Sequence, residues 1–273
     1  MCKKINKKEI IELIKLQKSK KTRKKSKIFV VEGLIENKMA LKGNFKLKKI
    51  FFCKKIIIKK KIDFCILKKF IFFVKKNIYK KITYRKKTEG ILGVFFKKKI
   101  NYENELNTYI KKKKYMFLII DNIEKPGNIG AIIRTVEATK IINFIIVYNN
   151  KEIYNPNIIR SSIGCVFIVP IIKLSFNKIL KYILNNNIYL LGTSIYKKNN
   201  ICLYNQNFNL NKICIIFGNE HKGISKKWFK YIKKNIHIPM YGEINSLNVS
   251  VSVSMILFFI MIKKYIKNNI FKN

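Results

Sequence analysis

The stretch Ile236–Ser254, IHIPMYGEINSLNVSVSVS, limits what this chain can fold into more than any other. An apolar strand breaks at Pro239 and a Gly242-Glu243-Ile244-Asn245 turn follows; Ser246, Leu247 and Asn248 then precede an apolar run that reads as a helix. A loop with so many hydrogen-bonding groups between a buried strand and a buried helix either meets a ligand or is a polar cap on a β-to-α connection. Two further loops bear on that choice.

The first follows YMFLII (Tyr115–Ile120), a continuous apolar run that predicts a buried strand, and leads through Asp121 to Gly130 into a helix ending near Lys140. Pro126 holds the loop extended, Gly127 permits an unusual backbone angle, and Asn128 is expected as the helix N-cap. Ile129, Ile132, Ile133 and Val136 make the apolar face, Arg134 projects off it, and Gly130 one turn earlier leaves room above the guanidinium. A capped helix with a surface arginine has the same pattern. The second loop follows the strand Ile213–Phe217 and reads Gly218-Asn219-Glu220-His221-Lys222-Gly223. Two glycines bracket a carboxylate, as they also do in a plain turn with His221 a bystander.

Between these loops lie expected strands at Phe144–Val147, Val166–Ile172 and Ile188–Thr193, a helix at Phe176–Leu184, and a segment carrying Arg160. This alternation predicts an α/β fold with a parallel sheet covered on both faces. Ligands of such sheets gather at the carboxyl ends of strands, where Thr193, Gly218 and Ile238 fall. Neither the dinucleotide fingerprint G-x-G-x-x-G nor a P-loop is present.

The N-terminal part reads differently. Residues 1–27 place Ile10, Ile11, Leu13, Ile14 and Leu16 at helical spacing and end in KSKKTRKKSK, which predicts a short amphipathic helix and a basic arm, or a solvated charge run. IFVVEGL opens a strand from Ile28, a helical segment covers Leu34–Leu41, and strands are expected at Lys49–Cys53, Phe64–Leu67, Phe70–Val74 and Gly90–Phe96. Residues 28–100 are thus expected as a small α/β domain, 101–114 as a polar linker, and 115–273 as the second domain.

Charge narrows the partners. Lys and Arg number 59 against 14 Asp and Glu, a formal +45 that points to a polyanion, although an AT-biased coding sequence also enriches lysine. Only Arg23, Arg85, Arg134 and Arg160 survive among the lysines, and a surviving arginine marks a place where the planar fork is useful. The six cysteines form no C-x-x-C pair and read as reduced thiols of a cytoplasmic protein. With His221 and His237 alone, neither a metal site nor a histidine triad is expected. The N-terminus lacks the apolar core of a signal peptide, and Val249–Ile262, shorter than a bilayer crossing, reads as a buried terminal helix rather than a membrane span.

P-G-N-I-G-A-I-I-R-T at 126–135, F-G-N-E-H-K-G at 217–223 and I-P-M-Y-G-E-I-N-S-L-N-V-S at 238–250, in this order, resemble the SpoU (TrmH) family of RNA ribose methyltransferases. The resemblance covers 115–265 well and extends more weakly over Ile28 to about 100, where VVEGL looks like the opening of the family's substrate-binding domain. It implies a parallel-sheet catalytic domain with a C-terminal trefoil knot, a small N-terminal α/β substrate-binding domain, S-adenosyl-L-methionine as cofactor, and a homodimer. By position it implies cofactor contacts at Thr193, Gly218, Ile238 and Leu247, and a polar set of Asn128, Arg134, Glu220, Ser246 and Asn248 near the reacting ribose. His221 stands where the family often has glycine. The implied reaction is methylation of a ribose 2′-hydroxyl, with ribosomal RNA favoured over transfer RNA; an RNA-binding protein that kept the fold and lost the reaction is the rival.

Overall fold

The computed structural model describes residues 5–57, 70–85, 88–148, 152–193, 200–206, 208 and 210–270. The chain divides into two compact units, 1–99 with 152–168, and 100–151 with 169–273. Residues 152–168 therefore fold with the first unit although they lie in sequence between two strands of the second.

In the first unit, α1 (Lys7–Lys18) starts at a capping box, where the Asn6 side chain accepts the Glu9 N–H at 2.8 Å and Glu9 accepts the Asn6 N–H at 3.1 Å. Its Leu13 and Leu16 enter the core, and the expected basic arm is instead a second helix, α2 (Lys20–Ser26), with Arg23 buried. The Arg23 guanidinium donates to the Leu16 and Gln17 carbonyls at the end of α1 and lies 3.9 Å from Glu152. Partnered in this way, a charge in a lysine-rich run turns inward.

A four-stranded sheet of order β1-β4-β2-β3 follows, with β1 at Ile28–Glu32, β2 at Leu47–Phe52, β3 at Ile71–Phe73 and β4 at Ile91–Phe96. β1 and β2 pair antiparallel with β4, and β3 runs parallel to β2. α3 (Leu34–Lys42) and α4 (Lys76–Ile82) complete the set. The expected strand at Phe64–Leu67 lies outside the described residues. One sheet face packs Phe29 against Tyr154 and Phe167 of the 152–168 segment, ring centroids 4.5 and 5.5 Å apart. This stacking, with Lys97 bonded to Glu152, explains why that segment belongs here.

The second unit is a seven-stranded sheet of order β7-β6-β5-β10-β8-β11-β9, parallel at every pairing. The strands are β5 (Tyr115–Ile120), β6 (Phe144–Tyr148), β7 (Ile171–Leu174), β8 (Tyr189–Thr193), β9 (Asn200–Cys202), β10 (Lys212–Phe217) and β11 (Lys234–His237). Every residue of β5 is buried, which is what a strand covered on both faces requires, at about 1.5–3 kcal/mol for each large apolar side chain. The strand expected at Val166–Ile172 is split. A 3-10 turn spans Cys165–Phe167 in the first unit, and β7 begins at Ile171. The expected linker at 101–114 holds α5 (Tyr102–Ile110), capped by Asn101, with Leu106 in the core. α6 (Pro126–Thr139), α8 (Phe176–Asn185) and α9 (Val249–Ile270) complete the unit, and the short α7 (Pro156–Ser161) belongs to the first.

α9 is longer than the sequence suggests. By length and apolarity Val249–Ile266 meets the requirement for a membrane crossing, with 22% of it buried. One side, Val253, Ile256, Leu257 and Ile260, is buried, and α9 lies along α6, with Thr135 and Ser254 hydroxyls 2.8 Å apart. Val251, Met255, Phe258 and Ile262 form an exposed apolar stripe on the other side.

Candidate functional site

The carboxyl ends of β5, β10 and β11 all lead to irregular segments, as expected of a parallel sheet that carries a ligand. After β5, the buried Asp121 accepts the Ser225 N–H at 2.7 Å and the Asn122 amide at 3.0 Å, and Asn122 also donates to the Ser225 hydroxyl. After β10, Asn219 donates to the Asn122 carbonyl at 3.0 Å and accepts the N–H groups of His221 and Lys222 at 2.9 and 3.0 Å. Reciprocal backbone bonds between Asn219 and Gly223 close this turn. A side chain at Gly218 would place its Cβ 2.2 Å from the Gly223 backbone, so this glycine lets the turn fold on itself. Asp121, Asn122, Asn219 and Ser225 form a frame that the sequence reading did not single out. The visible signal was a polar pair directly after a fully apolar strand.

On this frame sits Glu220. One carboxylate oxygen accepts the Asn128 amide at 2.7 Å and the Lys125 N–H at 3.4 Å; the other accepts the Glu124 N–H at 3.1 Å. Burial pushes this carboxyl up. The N–H groups of Glu124, Glu220 itself and Lys125, with the Asn128 amide, outweigh burial and hold it below the ordinary carboxylate value. Asn128 accepts in turn from the Asn248 amide at 3.2 Å, and Asn248 accepts the Ser250 N–H and hydroxyl at 2.8 and 2.7 Å. Three loops far apart in sequence thus meet in one hydrogen-bonded chain, Glu220–Asn128–Asn248.

Asn128 is not the N-cap it was expected to be. α6 begins at Pro126, whose fixed φ and missing N–H suit a first helical position, so Lys125 is the cap and the Asn128 side chain is free to bridge. Arg134 departs from expectation too. It is exposed, bonds no described residue, and does not line the cavity beside the chain. Asn128 and Thr135, seven residues apart, share the α6 stripe that meets Asn248, just before α9, and Ser254 within it, and Arg134 lies about 100° around the helix from Thr135.

That cavity, of about 480 Å³, opens among the loops. Phe217, Ile236, Ile238, Leu247 and Ile256 give it an apolar wall, with Gly218, Thr193, Asn245, Ser246 and Asn248 beside them. All four residues expected at the cofactor line it, as do Glu220, Ser246 and Asn248. The Thr193 hydroxyl donates to the Ile216 carbonyl at 2.8 Å and so braces the strand ends. The ionisable residues at the wall are Lys125, Glu220, Lys222, His221 and His237. His237 holds a shielded Nδ1 with no partner among the described residues. Among those residues no group of three metal-ligating side chains exists.

The profile of the SpoU rRNA Methylase family matches residues 115–258, and that of the MRM3-like substrate binding domain matches residues 7–93. A relative from Borreliella burgdorferi, named as an uncharacterized tRNA/rRNA methyltransferase, is 33% identical over 163 residues, 58% of this chain and 68% of its own length. Across the first curated relatives the matched stretch spans 59 to 68% of their length. Among solved structures, an AdoMet-bound rRNA methyltransferase from Sinorhizobium meliloti superposes with a TM-score of 0.78 at 18% identity, over 93% of this chain and 94% of that one. An RNA 2′-O ribose methyltransferase gives the same TM-score at 24% identity, over 94% of this chain and 96% of that one. At such identities these structures establish a common fold.

Proposed function

Because the chain belongs to the SpoU rRNA Methylase family, we propose that it transfers the methyl group of S-adenosyl-L-methionine to a ribose 2′-hydroxyl in RNA, ribosomal RNA being the favoured substrate. The observation that carries this reading is the convergence of Asn128, Glu220 and Asn248 on one hydrogen-bonded chain beside a cavity walled by Thr193, Gly218, Ile238 and Leu247. A polar chain held this rigidly is what positioning of a reacting hydroxyl demands, because a misplacement of about 1 Å costs ~100-fold in rate.

The cavity fits the cofactor in kind. Its apolar wall suits an uncharged adenine, and the unpartnered Nδ1 of His237 offers a polar group a hydrogen bond. When bound, the cofactor supplies an electrophilic methyl on a sulfonium, so the protein supplies orientation and charge placement. Ile238, Leu247 and the Gly218 backbone would hold it. Ser246, whose hydroxyl bonds no described residue, faces the cavity as a donor or acceptor for the sugar. Glu220 has both oxygens filled and a lowered proton affinity, so it serves as the anchor of Asn128 and a poor proton acceptor. Arg134, exposed and bonded to no described residue, is assigned the phosphate next to the target nucleotide.

Three structural features extend the reading. β11 lies between β8 and β9, both of which precede it in the chain, and this strand order supports a C-terminal trefoil knot. The exposed apolar stripe of α9 supports a homodimer. The first unit carries dense exposed lysine, which supports RNA capture with affinity that falls steeply as salt rises. The test is to incubate the purified protein and cofactor with unmodified ribosomal and transfer RNA transcripts and map ribose methylation. Methylation at a defined ribosomal nucleotide is the expected result; labelling confined to bases, or none in either RNA, overturns the reading.

A further inference from the structure

The chain has two histidines in 273 residues, and both line the same cavity. The reaction proposed above leaves one group without an owner. As the bond forms between the ribose oxygen and the methyl carbon and the sulfonium–methyl bond breaks, the hydroxyl proton must pass to an acceptor. Glu220 is a poor candidate, because its two oxygens accept from Asn128 and from the Glu124 and Lys125 backbone. Arg134 carries no lone pair for a proton and lies outside the cavity lining. The ammonium form of a lysine such as Lys125 or Lys222 has three donors and no acceptor.

We infer that His221 is the proton acceptor of the 2′-hydroxyl in this chain, a catalytic residue supplied by the 217–223 turn, and this inference rests on the methyltransferase reading. Its backbone is fixed by the bond from its N–H to Asn219 and by the Asn219–Gly223 closure, so the ring is carried on a rigid turn at the cavity mouth. The ring itself is exposed and bonds no described residue, which leaves a nitrogen available to a substrate hydroxyl. Imidazole is the side chain suited to exchange protons near neutrality. The proton moves from the ribose oxygen to a ring nitrogen, giving an imidazolium that returns it to solvent after product leaves.

The charged and titratable neighbours at this wall are Lys125, Glu220, Lys222 and His237. A proton acceptor on this wall gives the pH–rate profile an acid limb, and the variant that loses the limb identifies the acceptor.

The experiment measures single-turnover methyl transfer into unmodified ribosomal RNA transcripts by the full chain and its His221→Ala and His237→Gln variants. Loss of about 100-fold in turnover in His221→Ala is expected, with RNA affinity retained, the acid limb abolished, and partial recovery on adding free imidazole. His237→Gln should weaken cofactor binding and keep the acid limb. Independently of turnover, carbethoxylation of His221 read by mass spectrometry should be suppressed by the RNA transcript. A His221→Ala variant with unchanged turnover and acid limb, a loss confined to RNA affinity, or a loss that imidazole does not restore overturns the inference. A wild-type chain that transfers no methyl group overturns instead the reading on which it rests.

Discussion

Glu32 in the first unit and Glu220 in the second are held in the same way and behave in opposite ways. Each accepts the backbone N–H groups of two consecutive residues, Tyr84 and Arg85 for Glu32, Glu124 and Lys125 for Glu220. Glu32 is buried at 8% exposure, one oxygen is shielded without a partner, and burial raises its pKa despite the two N–H bonds. Glu220 is only half-buried, gains a third donor from Asn128, and its pKa is lowered. Two backbone dipoles therefore do not offset full burial of a carboxylate, but they do at a cavity mouth with one more donor. The first site is a packing compromise, and the second is an ionised anchor for the polar chain.

A third carboxylate breaks the pattern by using charges. Glu152 accepts from Lys97 at 3.3 Å at both oxygens and lies 3.9 Å from Arg23, with all three largely buried. Replacing it with Ala leaves two shielded cations, a change that costs about 3 kcal/mol when one partner of a buried pair is removed. Glu152→Ala should lower the midpoint of thermal unfolding more than any other substitution named here. If it is neutral, the 152–168 segment is held by the Phe29–Tyr154 stack and the ion cluster adds little.

Next in size is Glu220→Gln. The amide keeps the shape but puts an N–H₂ where a backbone N–H or the Asn128 amide now finds an acceptor, so the chain through Asn128 to Asn248 slackens. Turnover should fall about 100-fold, equivalent to about 2.7 kcal/mol, with a drop in unfolding midpoint smaller than that of Glu152→Ala. The pH dependence follows from the sign. A carboxyl with a lowered folded value lends its full stabilisation above its unfolded value of about 4.3 and loses it as pH falls through the lower folded one. The thermal unfolding midpoint of the parent chain should therefore hold to mildly acid pH as far as Glu220 is concerned. A Gln variant with parental turnover removes Glu220 from the site.

These contrasts also explain what a reader of the sequence can and cannot see. β5 was legible because a parallel strand covered on both faces is a continuous apolar run, and α6 because its stripe repeats at helical spacing. Loop positions were legible for the same reason, since they fall at strand ends. Partners were not. Asn128 finds Glu220 92 residues away and Asn248 120 residues away, and no local pattern records such pairings. Local chemistry instead made Asn128 a cap, since only Pro126 in place tells that the cap lies three residues earlier, at Lys125. α5 was hidden by its exposed polar face, and the allegiance of 152–168 by the tertiary stacking of Tyr154 and Phe167. Arg134 drew attention as a rare residue, yet of the four arginines Arg23 and Arg85 are occupied by Glu152 and Glu36.

The smallest effect tests the buried half of the comparison. Glu32→Gln keeps an oxygen for the Tyr84 and Arg85 N–H groups and replaces a shielded, unpaired charged oxygen with a neutral amide edge, which is less costly to bury. A carboxyl with a raised folded value favours the folded state most when protonated, and the penalty grows as pH rises from the unfolded value of about 4.3 through the higher folded one. The variant should thus match the parent below that window and exceed it by about 1 kcal/mol at neutral pH, in thermal unfolding followed at both pH values. Turnover should not change. A loss of stability at neutral pH would mean that attraction to Arg85 outweighs burial, and that both carboxylates are then ionised anchors differing only in depth.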